Sequence, residues 1–276
     1  MSAELAGDFL AAMARASRAR ARRLVLAGRA SLERRARHAP PPRPLALAPR
    51  GFDLVAEVKF ASPAAGVLAS SPTAAEAAAR ARVYAGAGAA ALSVLTEPTR
   101  FGGRLAHLAA VARAVELPVL RKDFLVDPLQ VLEARAHGAS GVLLILALLD
   151  DARLEELLDE ARACGLFVLL EAFTRAELVR AASVLARPGR PQILVGVNTR
   201  DLVTLSVDRT RLSELAPHLP RSAPSVAESG LATPEDARAA AALGYRLALV
   251  GSALMTSPDP ATSARALLAA GREALR

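Results

Sequence analysis

From about residue 45 onward the chain repeats one pattern eight times: a short apolar run, then a longer Ala/Leu/Arg-rich stretch of helical period. The runs fall at 54–58, 90–95, 118–120, 141–146, 167–170, 193–197, 225–227 and 247–250. They are apolar at consecutive rather than alternate positions, as expected of strands covered on both faces. Such strands joined by helices make a parallel sheet, and eight units without a break close it into an α/β fold, the (β/α)8 or TIM barrel. An open doubly wound sheet is the alternative, but no Gly-x-Gly-x-x-Gly follows the first run, which argues against a dinucleotide fold. At 276 residues the chain is close to the roughly 250 typical of one barrel. Residues 1–276 therefore read as a single domain, in which 1–45 form an N-terminal helical extension ending in the breaker Pro40-Pro41-Pro42-Arg43-Pro44.

Charge and composition narrow the function. The net charge of +8 invites a nucleic-acid reading, so its location matters. Arg15, Arg18, Arg20, Arg22, Arg23, Arg29, Arg34, Arg35 and Arg37 crowd the helical extension with no aromatic residue between them to stack on bases. They read as a solvated helix face, or as long-range attraction for an anionic substrate. No apolar stretch has the roughly 18 unbroken residues of a membrane span, and the N-terminus lacks the order of a secretory signal. A soluble, cytoplasmic protein with no nucleic-acid or membrane partner is expected. The single cysteine, Cys164, excludes an internal disulfide and reads as a small buried thiol in a reducing compartment. His38, His107, His137 and His218 show no metal-ligand spacing, so no metal is expected.

Of 35 basic residues only two are lysine, Lys59 and Lys122, and the only asparagine is Asn198. A background that writes almost every cation as arginine leaves lysine where arginine will not serve. Arginine keeps its proton at any working pH, whereas a lysine in a dry pocket can lower its pKa and transfer one. All three rare residues close an apolar run, where a barrel keeps its catalytic groups. Glu57 and Lys59 are two apart on the first strand and share a side of the sheet. Lys122 follows the third strand, Glu171 the fifth, Asn198 the sixth, and Glu228 with Ser229 the seventh. Each alone suits a surface ion pair; together, at successive C-terminal ends, they ring one mouth. Gly230, Gly251 and Ser252 end the last two strands, where backbone N–H groups of this fold receive phosphate.

These residues carry a resemblance. Ala56-Glu57-Val58-Lys59 followed by Ser62-Pro63, Leu92-Ser93-Val94-Leu95-Thr96-Glu97 with Phe101-Gly102-Gly103, and Leu117-Pro118-Val119-Leu120-Arg121-Lys122-Asp123-Phe124 all belong to it. So do Leu170-Glu171, Val195-Gly196-Val197-Asn198-Thr199-Arg200-Asp201-Leu202, Ala227-Glu228-Ser229-Gly230 and Leu249-Val250-Gly251-Ser252-Ala253-Leu254-Met255. The chain resembles the indole-3-glycerol phosphate synthase family through all eight units and the N-terminal helix. The resemblance implies conversion of 1-(2-carboxyphenylamino)-1-deoxyribulose 5-phosphate to indole-3-glycerol phosphate, CO₂ and water in tryptophan biosynthesis, with no cofactor, by a monomer. It makes Lys122 the general acid and Glu171 its partner in the later proton transfer. Lys59, held by Glu57, would meet the substrate's carboxylate or phosphate or act as an acid itself. Asn198, Glu228, Ser229 and Arg200 would orient substrate; Phe101, Phe124 and Leu202 would wall its aromatic ring; and Ser62, Gly230, Gly251 and Ser252 would hold phosphate. Sequence does not order the two lysines among the steps.

Four departures from the family's usual pattern stand out. Ser62-Pro63-Ala64-Ala65-Gly66 replaces Ser-Pro-Ser-Lys-Gly, Phe60 replaces a basic residue, Thr199 stands for Asn or Ser, and Arg104 for a small Ser. They leave a diverged, slower copy as one alternative. Another phosphosugar barrel, such as a phosphoribosylanthranilate isomerase, is a second, but Cys164 lies in the wrong place for its Cys/Asp pair.

Overall fold

Eight parallel strands close into a barrel: β1 (Asp53–Val58), β2 (Ala91–Leu95), β3 (Val119–Lys122), β4 (Gly141–Ile145), β5 (Phe167–Ala172), β6 (Ile193–Asn198), β7 (Ser225–Glu228) and β8 (Leu247–Val250). Each strand pairs with its sequence neighbour, and β8 pairs back onto β1. This is the TIM barrel expected from the repeat. The computed structural model describes residues 2–48, 51–62, 66–68, 72–201 and 204–275, with side chains from residue 9 onward. Leu202 and positions 63–65, the altered part of the first loop, lie outside the described residues.

Helices α3 (Ala74–Gly86), α4 (Pro98–Phe101), α5 (Leu105–Ala114), α6 (Pro128–Ala136), α7 (Asp151–Ala163), α8 (Arg175–Leu185), α9 (Thr210–Leu215), α10 (Pro234–Ala242), α11 (Ser252–Thr256) and α12 (Pro260–Glu273) follow the strands. Several start where the sequence offers a side-chain acceptor to the orphan N–H groups of a first turn. Thr73, Asp127, Asp150, Thr174, Thr233 and Asp259 each accept such a bond. Pro128, Pro234 and Pro260 at the first turn cost no hydrogen bond there.

Two apolar layers result from the period of two along each strand. Leu54, Ala56, Val58, Leu92, Val94 and their equivalents face the helices. Val55, Leu120, Leu143, Leu169, Leu194, Val226, Leu247 and Leu249 fill the barrel interior. Two residues further along the same inward face, Val55 gives way to Glu57, Leu120 to Lys122, Leu169 to Glu171 and Val226 to Glu228, and Asn198 comes four after Leu194. The apolar plug thus ends in a polar floor. Strands β3, β6 and β7 run one or two residues beyond the last apolar position and β5 carries Glu171 within it, because the polar groups stay in the ladder: Asn198 is registered against Glu228 and Glu171 against Gly196.

The extension forms α1 (Ser2–Ala27) and α2 (Arg29–His38), separated by Gly28 at φ 81°, a conformation that favours glycine. Helix α1 places Met13 in the interior cluster. The arginines of the extension are not all on a solvated face, which corrects that expectation. The Arg20 guanidinium donates to Asp123 at 2.7 Å, and Arg29 binds both oxygens of Glu160 at 2.9 Å. Both ties cross to barrel elements that sequence spacing does not reveal.

Arg121 is 2% exposed and faces the helices, on the opposite side of β3 from Lys122. It donates to the Thr96 hydroxyl (3.1 Å), the Gln130 carbonyl (2.9 Å), Glu133 (2.9 Å) and Asp123 (3.2 Å). Arg121→Met strips the buried guanidinium from Glu133, the Gln130 carbonyl and Asp123, of which only Asp123 keeps a cation, Arg20, and removal of one member of a buried pair costs about 3–5 kcal/mol. Urea denaturation should show that loss; a change under about 1 kcal/mol would refute this role for the network.

Candidate active site

The C-terminal strand ends surround a cavity of 430 Å³. At its floor the Lys122 ammonium donates to Glu228 at 2.6 Å and to Glu171 at 3.4 Å. The Asn198 amide nitrogen donates to the same Glu171 oxygen at 3.1 Å, while its oxygen accepts from the Ser229 hydroxyl (2.8 Å) and from the Arg200 backbone N–H (3.0 Å). Those contacts fix the amide's orientation and make Lys122, Glu171, Asn198 and Ser229 one connected line. Lys59 sits across the mouth with its ammonium 3.0 Å from Glu57.

Small residues make this packing possible. A Cβ on Gly196 would collide with the Glu228 carboxylate, and one on Gly251 would collide with that of Glu57. Ser229 adopts φ 68°, sparsely populated for a residue with a side chain. The Thr199 hydroxyl secures that turn, lying 3.2 Å from the Glu228 carbonyl and 3.1 Å from that of Ser229.

One oxygen each of Glu57 and Glu228 is buried without a hydrogen-bond partner, and for Glu228 that burial makes the ionised form costly. Burial pushes the Glu228 carboxyl up to about 8 against the opposing attraction of Lys122, and repulsion from Glu171 adds to the rise. Burial by itself would lower Lys122, but attraction by Glu228, Glu171 and Glu57 outweighs it and the net shift is upward. The lysine that the sequence suggested as a lowered-pKa acid is therefore a firmly held ammonium.

Lys59, Lys122, Glu57, Glu171, Asn198, Ser229, Arg200, Phe101, Phe124, Ser62, Gly230, Gly251 and Ser252 all line the cavity. Glu228 does not; it is fully buried and reaches the cavity through Lys122. Sequence reasoning missed Phe9 and Leu10 of α1, Asp123 and Arg209, which also line it. Phe9 meets Phe124 edge-on at 6.1 Å between ring centres, and Phe101 lies 6.2 Å from Phe124 on the other side. Nothing local marks Phe9, because only the docking of α1 over the mouth brings it there. Asp123 stands beside Lys122 in a quoted motif, and that adjacency was the available signal. Cys164 belongs elsewhere, at the end of α7, where burial pushes its thiol up to about 12. Among the described residues no group of three or more His, Cys, Asp or Glu side chains is placed to hold a metal ion, and no helix is long and apolar enough to cross a membrane.

The sequence pattern of indole-3-glycerol phosphate synthases matches residues 13–267. The chain belongs to the indole-3-glycerol phosphate synthase family. The synthase of Parafrankia sp. (strain EAN1pec) is 48% identical over 245 residues, 88% of each chain. That of Mycolicibacterium smegmatis is 46% identical over 242 residues, 87% of this chain and 86% of its own. Among solved structures, 3-hexulose-6-phosphate synthase from Salmonella typhimurium superposes with TM-score 0.63 at 16% identity, covering 80% of this chain and 99% of its own. The last is a likeness of fold alone.

Glu228 binds its proton more tightly in the folded protein than an ordinary carboxyl near pH 4.3 does in the unfolded chain. Its contribution to stability is complete below that value and is lost as pH rises through about 8. Glu228→Gln keeps the neutral shape and should flatten the decline of Tm between about pH 5 and pH 9. A decline as steep as that of the wild type would contradict the assignment.

Proposed function

We propose that the chain closes the indole ring of 1-(2-carboxyphenylamino)-1-deoxyribulose 5-phosphate, releasing CO₂ and water and leaving indole-3-glycerol phosphate. It acts as a cytoplasmic monomer without metal or organic cofactor. The observation that carries the reading is the Lys122 ammonium between Glu228 and Glu171 on the floor of a cavity with an aromatic wall.

The substrate's ring sits against Phe101 and Phe124, with its phosphate toward Ser62, Gly230, Gly251 and Ser252. The ring carbon bearing the carboxylate attacks the ribulose carbonyl. A carbon–carbon bond forms, and the carbonyl electron pair moves onto oxygen. Lys122 stabilises that oxygen and gives it a proton; an alkoxide is basic enough to take one even from an ammonium held between two carboxyl groups. Loss of the carboxylate as CO₂ returns its bonding electrons to the ring. Expulsion of the new hydroxyl as water and removal of a proton then complete the indole, with Glu171 as the base. Glu57 holds Lys59 in position beside the substrate's anionic groups, while Asn198 and Ser229 hold Glu171 and the substrate hydroxyls in line.

Lys122→Arg preserves the charge but puts a longer, planar guanidinium where a compact ammonium sits between Glu228 and Glu171, so the donated proton no longer lies at the carbonyl oxygen. It should lower kcat by about 10²–10⁴-fold, the usual worth of general acid catalysis. The assay is the fluorescence of indole-3-glycerol phosphate formed from the aminodeoxyribulose phosphate with chelator present. Wild-type turnover with near-normal Lys122→Arg turnover would remove Lys122 from the acid role; no wild-type turnover would overturn the proposed activity.

A further inference from the structure

Among the groups already assigned, the cations that line the cavity each have a protein partner. Four basic side chains are on its described lining: Lys59, Lys122, Arg200 and Arg209. Lys59 is held by Glu57 at 3.0 Å, and Lys122 by Glu228 at 2.6 Å. Arg200 turns back to donate to the Leu205 carbonyl at 2.6 Å. A phosphate carrying close to two negative charges would meet Lys59 and Lys122 already paired with carboxylates, leaving Arg200, tied only to a neutral carbonyl, and a second guanidinium would complete its neutralisation.

Arg209 stands where that charge is wanted. Its stem passes 3.7 Å from the position a Gly230 Cβ would occupy, and its guanidinium donates to Asp236 at 2.8 Å. The pair is unequal. The other Asp236 oxygen accepts the backbone N–H groups of Ala232 (2.9 Å) and Thr233 (3.0 Å), as part of the cap that starts α10. Asp236 is thus fixed by backbone and stays satisfied if Arg209 leaves. The Arg209 side chain is 63% exposed and has the long flexible stem to move. A solvent-exposed pair of this kind is weak, about 1 kcal/mol or less, whereas an arginine fork on phosphate makes two charge-assisted bonds.

We propose that Arg209 is a substrate-binding residue that leaves Asp236 to grip the substrate's phosphate and returns to it when product departs. The inference rests on the proposed function for the identity of the phosphorylated ligand, but the anion site can be tested without turnover. Calorimetric titration with inorganic phosphate should be run on the wild type, Arg209→Ala, Arg209→Lys and Asp236→Asn, alongside steady-state kinetics. Arg209→Ala should weaken phosphate binding and raise KM, each by about tenfold or more, with kcat nearly unchanged. Arg209→Lys should fall between. Asp236→Asn, which frees Arg209 and keeps a capping oxygen, should bind phosphate as well as the wild type or better. An ion pair that merely braces α10 would make Arg209→Ala and Asp236→Asn behave alike, and that result overturns the inference. So does phosphate affinity unchanged in Arg209→Ala, or no phosphate binding by the wild type. If the wild type binds phosphate but turns over no substrate, the proposed function falls and the titrations still decide the role of Arg209.

Discussion

The site depends on one desolvated contact, the Lys122 ammonium between the Glu228 and Glu171 carboxyl groups. Two carboxyl groups this close and this dry do not both ionise readily, which helps Glu228 keep its proton, and the cation between them is what lets them share a floor. The surrounding sequence follows from that need. Gly196 withholds a Cβ where the Glu228 carboxylate must lie. Asn198 donates to the Glu171 oxygen that Lys122 also meets. On the far side of β3, Arg121 with Thr96 and Asp123 locks the strand that carries Lys122. The Arg20–Asp123 contact brings α1 into the same network, so the helix that completes the aromatic wall is anchored one residue from the acid.

The barrel was legible because its signal is repetitive: eight apolar runs, each continuous because strands in this fold are covered on both faces. The ring of polar residues was legible for a related reason. Lysine and asparagine are so rare in this chain that Lys59, Lys122 and Asn198 marked the mouth by themselves. Geometry across elements was not legible. Glu228 reads in sequence as one more group at a strand end, yet it lies beneath Lys122 and off the cavity wall. Phe9 and Arg20 sit in a monotonous Ala/Leu/Arg helix, and only the way α1 docks gives them partners. The direction of the Lys122 shift was likewise hidden, because burial and neighbouring carboxylates act in opposite senses and only distances decide between them.

The departures from the family's usual pattern divide by what they touch. Phe60 is buried and packs edge-on against His107, 4.9 Å between ring centres, so an apolar contact stands where a basic residue is usual. Thr199 supplies a hydroxyl that secures the Ser229 turn. Arg104 caps α5 through its backbone, with no side-chain bond to the helix. None of the three alters the contacts of Lys122, Glu171 or Asn198.

The most direct measurement is nitrogen-15 NMR of the side-chain amines, which is unusually clean because the chain has only two lysines. Lys59→Arg assigns the remaining signal to Lys122, and a pH titration then reads its charge. The account requires Lys122 to stay an ammonium beyond the ordinary lysine value of 10.5, with Glu228→Gln bringing its titration down. A Lys122 amine that is neutral by about pH 8 would show that desolvation dominates, and the carboxylate-held ammonium at the centre of the site would have to be abandoned.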